Sequence, residues 1–203
     1  MNTLTGYLRQ AGTALRFLLL AALVLGAAYP LAVFGVGQLI APYQANGSII
    51  KDRAGAPAAS ALIVQAPADD AGVQDPRWFH ARSSAVKWDP ASSSASNLGP
   101  NDPKLLDAVT ANRSAVAGAE GVDAERVPAD AVTASGSGLD PDISPAYARL
   151  QVPRVARAQH LSADAVMSLV NKHTSGGLEA FLGQPSVNVT ALNIDLAATV
   201  QSK

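Results

Sequence analysis

Cysteine is absent from this 203-residue chain, which excludes disulfides, thiol catalysis and cysteine metal sites. Aromatic residues make up only 5%, so a soluble core must be built from Ala, Val, Leu and Ile. No acidic residue occurs between Met1 and Ile40. No basic tail or stripe is present and the net charge is −1, which argues against nucleic acid as a partner. The phosphate-binding patterns G-x-x-x-x-G-K-[ST] and G-x-G-x-x-G are missing. So are the nucleophile elbow G-x-S-x-G and the metalloprotease pattern H-E-x-x-H. His80, His160 and His173 are scattered, so neither a metal site nor a catalytic constellation is expected. Asp140-Pro141-Asp142-Ile143-Ser144 begins like a calcium loop. It then puts Pro145 where glycine is required and Gln151 where the bidentate glutamate belongs.

What the chain does have is one long apolar run. Phe17 to Ile40 holds 24 residues without a charged side chain, preceded by Arg9 and Arg16. A bilayer core about 30 Å thick needs roughly 20 apolar residues as a helix. Residues 14–40 are therefore expected to form a transmembrane anchor, residues 1–13 a cytoplasmic N-terminus and residues 41–203 a single periplasmic domain. The two arginines set that orientation, and the outer side is the periplasm if the cell is Gram-negative. A cleaved signal peptide ending at Gly26-Ala27-Ala28 is the competing reading. It would leave the apolar Leu31-Ala32-Val33-Phe34 exposed at a new N-terminus. Within the anchor, Ala22, Gly26 and Pro30 are spaced i, i+4, i+8. They predict a close-packing helix face with a kink at Pro30.

The soluble part predicts an α+β fold with a small sheet and several helices. A turn is expected at Asn46-Gly47, and strands at Ala61–Val64, Arg77–Arg82 and Asp130–Ala134. Ser92–Ser96 reads as disordered by composition. Asp102-Pro103 starts a helix with Leu105, Leu106, Val109 and Val116 inward, ending near Gly118. Ser144-Pro145 starts another, which Pro153 should break. Ser162 caps a third, with Val166, Leu169 and Val170 inward and Ser175-Gly176-Gly177 closing it. Val187 and Val189 predict a half-buried strand, and Asn193 a cap for a last helix to Val200.

Charge is uneven: Glu120 to Asp142 carries six acids and one base, Arg149 to Lys172 four bases and one acid. Two solvated faces that pair with each other explain this without special chemistry.

The motifs have a further reading as a set. In order they are QANGSII (Gln44–Ile50), SALIVQ (Ser60–Gln65), WFHARSSA (Trp78–Ala85) and SNLGPNDP (Ser96–Pro103). VPADAVTASGSGLDPDISP (Val127–Pro145), QVPRVARAQHLS (Gln151–Ser162) and GQPSVNVTALN (Gly183–Asn193) follow. With the anchor, they make the chain resemble the C subunits of Kdp-type potassium-transporting ATPases over nearly its whole length. Val64 stands where that family usually has glycine, and Ser83 where it usually has proline.

The resemblance implies a non-catalytic accessory subunit. Its partners would be a channel-like, potassium-selecting subunit and a P-type ATPase subunit. It would assist assembly, or act as a catalytic chaperone that raises the ATPase subunit's affinity for ATP. No cofactor is expected to be held permanently, though ATP is a candidate shared ligand. Direct nucleotide binding would fall to the backbone amides of Ser135, Gly136, Ser137 and Gly138, with Gln151 and Arg154 nearby in sequence. Lacking a Walker lysine, residues 41–203 are expected to bind ATP weakly or not at all. An independent membrane-anchored periplasmic binding protein or enzyme is the remaining alternative.

Overall fold

The computed structural model describes residues 2–69, 72–176 and 183–201. The chain divides into two compact units, Met1–Ser48 and Ile49–Lys203.

The first unit is one apolar helix and its exit turn. Helix α1 (Asn2–Leu23) runs through a widened π-type turn (Val24–Ala28) into α2 (Tyr29–Ile40). The stretch Thr3–Ile40, 38 residues, is long and apolar enough to cross a membrane. It spans about 57 Å at 1.5 Å per residue, well beyond the roughly 30 Å of a bilayer core. The helix does not break at Pro30. The wide turn just before it absorbs the proline: Tyr29 N–H reaches back to Val24 C=O. The extra residue in that turn shifts Pro30 by about 100° around the helix axis relative to a continuous α-helix. A short α3 (Pro42–Ala45) follows, then the predicted turn, with Gly47 at φ 81°. Gln38 and Asn46 clasp it with reciprocal amide hydrogen bonds of 3.3 and 3.0 Å.

The second unit is α+β, with two small antiparallel ladders. β1 (Ile49–Lys51) pairs with β2 (Pro57–Ser60), placing Ile50 opposite Ala59. The strand expected at Ala61–Val64 therefore lies earlier, and Ala61-Leu62 form a turn. Helix α4 (Pro103–Glu120) starts on the predicted Asp102 cap and stops at Gly121, φ 66°, three residues past Gly118. Val109 and Val116 pack on the core, but Leu106 stays 68% exposed. Its partner at the predicted face is missing because the first turns of α4 extend beyond the core. Helix α5 (Ala129–Val132) replaces the expected strand at Asp130–Ala134. Pro128 in extended geometry opens it, and Ala131 and Val132 bury together on one turn.

β3 (Asp142–Ile143) pairs with β4 (Val187–Asn188). Helix α6 (Pro145–Ala158) begins on the Ser144 cap and passes straight through Pro153. Pro153 and Arg149, whose carbonyl loses its helical donor, both lie on the exposed face, where water can serve that carbonyl. Helix α7 (Ala163–Lys172) is capped by Ser162 as predicted and ends at Lys172, before Ser175. Gly177 lies outside the described residues. Helix α8 (Val189–Val200) is capped by Asn188, not Asn193, which shortens the predicted Val187–Val189 strand. Helices α6, α7 and α8 close around Tyr147, Val155, Val166, Val170, Leu192 and Leu196, with Phe79 inserted fully buried.

Candidate functional site

Arg77–Arg82 was expected as a strand, yet no strand pairs with it. Side-chain amides replace the missing ladder. Phe79 N–H donates to Asn193 Oδ1 and Phe79 C=O accepts from Asn193 Nδ2, both at 2.9 Å. His80 N–H donates to Gln151 Oε1 at 2.6 Å, and Gln151 Nε2 donates back to His80 C=O at 3.1 Å. Ala81 makes the same double bond with Gln74, at 2.8 and 3.3 Å. Three successive residues are thus held at both N–H and C=O, from α8, α6 and the local loop. A buried backbone must be paired this way where no neighbouring strand exists.

Arg154 lies one turn beyond Gln151 on α6 and continues the clamp. Its guanidinium ion-pairs with Glu120 at the end of α4, Nε to Oε1 3.0 Å, in a nearly dry environment. It also donates to the carbonyls of Pro76 and Trp78 and to Gln151 Oε1. Burial pushes the Glu120 carboxyl up, outweighing the opposing pull of Arg154. Burial likewise lowers His80 to about 4, helped by Arg154, so its imidazole is neutral at pH 7.

The serine–glycine loop is tied to the following part of the same segment, a strap over Trp78–Ala85. Ser135 N–H donates to Ser83 C=O at 2.9 Å, and Ser84 Oγ donates to Gly138 C=O at 2.8 Å. Arg82 pairs with Asp140 at 3.0 Å. The segment predicted as disordered is pinned here too: Ser94 N–H and Ser93 Oγ both donate to Ser137 C=O. Local composition could not reveal these long-range bonds. Within the loop, the serine hydroxyls accept from backbone N–H groups. Ser135 Oγ accepts from Gly138 and Asp140 N–H, and Ser137 Oγ from Leu139 N–H. Only the N–H groups of Gly136 and Ser137 make no hydrogen bond within the described residues.

A cleft of about 620 Å³ opens between α4 and the strap. Arg154 lines it, with Glu120, His80 and Tyr147, but Ser135–Gly138 do not. Gln151 and Arg154 therefore sit together on the clamp, while the loop is engaged elsewhere on the strap. Sequence reading missed Gln74, Glu120 and Tyr147. The i, i+3 spacing of Gln151 and Arg154 was the one local signal that they share a helix face. Among the described residues no cluster of His, Asp and Glu could hold a metal.

Comparison with known proteins gives the context. A sequence profile described as "K+-transporting ATPase, c chain" matches residues 11–198. A protein from Kineococcus radiotolerans named "Potassium-transporting ATPase KdpC subunit" is 50% identical, with 95% of each chain covered. Proteins of the same name from Ralstonia nicotianae and Caulobacter vibrioides are 46% and 48% identical. They cover 86% of this chain each, and 83% and 86% of their own lengths. The WFHARSSA strap and the TASGSGLD loop, bonded to each other here, fall within the matched span, and the chain belongs to the KdpC family of potassium-transporting ATPase subunits.

Proposed function

We propose that this chain is a non-catalytic accessory subunit of an ATP-driven potassium uptake pump. Its partners in this reading are the channel-like potassium-selecting subunit and the P-type ATPase subunit. The apolar helix anchors it in the inner membrane beside partner helices, along the Ala22, Gly26 and Pro30 track. The folded unit sits on the periplasmic side and raises the ATPase subunit's affinity for ATP from there. The family match over residues 11–198 carries this reading.

An outside domain meets almost no ATP, so the effect on ATP affinity is best explained as allosteric. Differential contacts with two pump states need supply only about 1–3 kcal/mol. The inward-turned hydroxyls of the Ser135–Gly138 loop support this route over direct ATP sharing. Direct sharing would rely on two backbone amides without a free basic side chain, since Arg154 is committed to Glu120.

The test measures KM for ATP of the purified pump with and without this subunit, alongside calorimetric titration of the isolated full chain with ATP. A lower KM with the subunit and no micromolar binding by the chain alone is expected. An unchanged KM would refute the helper role, and micromolar binding would favour direct sharing.

A further inference from the structure

The cleft beside α4 contains a hydrogen-bond donor that no described residue uses. Tyr147 is only 2% exposed and lines the cleft. Its backbone N–H bonds Ser144, but its hydroxyl has no partner among the described residues. Among the described residues, Arg82 Nε is the one fully occluded side-chain atom without a partner, so the Tyr147 hydroxyl must reach open space. The open space that Tyr147 borders is this cleft. A buried phenol normally finds a partner, and one that lacks it is a donor awaiting an acceptor. Burial, with Glu120 nearby, raises its ionisation far above neutrality, so it keeps its proton.

The rest of the wall narrows the ligand class. Val73, Pro76, Ala81, Ala115, Val116 and Ala119 make it mostly apolar. Its volume of about 620 Å³ falls in the range of small-molecule sites. Among the described residues, the charges in the wall are already used: Glu120 pairs with Arg154, and the exposed Lys87 has interactions of its own. His80 adds no charge at neutral pH. A charged ligand would lose its hydration with no spare counter-charge. Asn112 holds Ser83 and Val132 through its Nδ2, leaving Oδ1 as an unused acceptor in the same wall.

We propose that this cleft is a binding site for an uncharged, ring-sized organic molecule whose carbonyl accepts a hydrogen bond from Tyr147. This inference rests on the cleft alone and not on the pump reading. A ligand with an amide group would also satisfy Asn112 Oδ1.

The two tryptophans provide the readout. Trp88 lines the cleft, whereas Trp78 lines a separate depression beside α8. Benzamide is titrated into the full chain in detergent, following both indole N–H resonances by NMR. Toluene, which lacks an acceptor, and benzoate, which is charged, serve as comparison probes. A saturable shift at Trp88 but not Trp78 is expected, tightest for benzamide. Tyr147→Phe keeps the ring and should weaken benzamide about 2–10-fold, leaving toluene unchanged. Ala115→Phe on the exposed side of α4 should weaken both. No saturable Trp88 shift would overturn the site. Equal benzamide affinity in Tyr147→Phe would overturn the role of the hydroxyl, and tighter benzoate binding the uncharged class.

Discussion

Gln151 on α6 grips both sides of the His80 peptide, 71 residues away, as a neighbouring strand would. The same side chain receives Arg154 Nη2 at 2.8 Å, so clamp and ion pair share an atom, Gln151 Oε1. Replacing Gln151 by Ala would strand a buried N–H and C=O and leave a guanidinium short of one acceptor. Each unsatisfied group costs roughly 1–3 kcal/mol. Gln151→Ala should therefore lose about 2–4 kcal/mol in urea unfolding. Asn193→Ala, which frees Phe79, should cost a similar amount. Because Phe79 and His80 are adjacent, the double variant should lose less than the sum. Full additivity would show that the two amides act independently.

The Glu120–Arg154 pair makes a different prediction. Removing one partner leaves a buried charge alone, which typically costs about 3–5 kcal/mol. Arg154→Met should pay that and also free the Pro76 and Trp78 carbonyls. Adding Glu120→Leu to Arg154→Met should recover part of the loss, since the stranded carboxylate disappears. A double variant no more stable than Arg154→Met would show that the carbonyl contacts, not the charge pair, dominate.

These two networks mark where sequence reading succeeds and where it stops. Helix starts at Asp102-Pro103, Ser144-Pro145 and Ser162 were legible because a cap and its helix are neighbours in the chain. The Arg77–Arg82 segment has no strand partner among the described residues, because an aromatic-rich run describes an extended backbone, not who pairs with it. Its partners lie 71 and 114 residues away and are side chains, which no periodicity encodes. Propensity marks Pro153 as a breaker because it ignores which face the residue occupies; on the exposed face its missing bond is cheap. The Ser135–Gly138 residues do lie in a loop, where the Gly138 amide meets the Ser135 hydroxyl and the Ser135 amide meets the Ser83 carbonyl.

The two loop glycines should separate sharply. Gly138 has φ 70°, and a Cβ there would sit 2.6 Å from Val86 Cγ2 and 2.7 Å from Ser94 O. Gly136 has nothing within 4 Å. Gly138→Ala should destabilise by about 2–3 kcal/mol, combining left-handed strain with a backbone clash. Gly136→Ala should stay within about 0.5 kcal/mol. Thermal unfolding of both variants checks this, and similar losses at both positions would contradict the packing around Gly138.

Orientation in the membrane can be read directly because the chain has no natural cysteine. Thr3 and Arg53 are both exposed. With the N-terminus inside, Arg53→Cys should react with a membrane-impermeant thiol reagent on intact spheroplasts. Thr3→Cys should react only after lysis. The opposite labelling would reverse the proposed topology.

His80 makes acid stability predictable. Burial and Arg154 lower its folded pKa to about 4, against an ordinary value of 6.5. Between those values the unfolded chain binds a proton that the folded chain refuses. Stability therefore falls as pH drops from about 6.5 to about 4, by up to ~3 kcal/mol, and levels off below. Glu120 works the other way, since its raised pKa favours the folded state at low pH and loses that advantage as pH rises. Comparing wild type with His80→Gln cancels the Glu120 contribution. Glutamine does not titrate and can still donate to Asp75 C=O, the bond that His80 Nε2 makes at 3.1 Å. Urea unfolding at pH 7.5, 6, 5 and 4 should show the wild type losing stability faster than the variant across this window. The gap should open below pH 6.5 and not above it. Parallel pH profiles would mean that His80 accepts its proton without cost, and that the Arg154 side of the cleft is wetter than its packing implies.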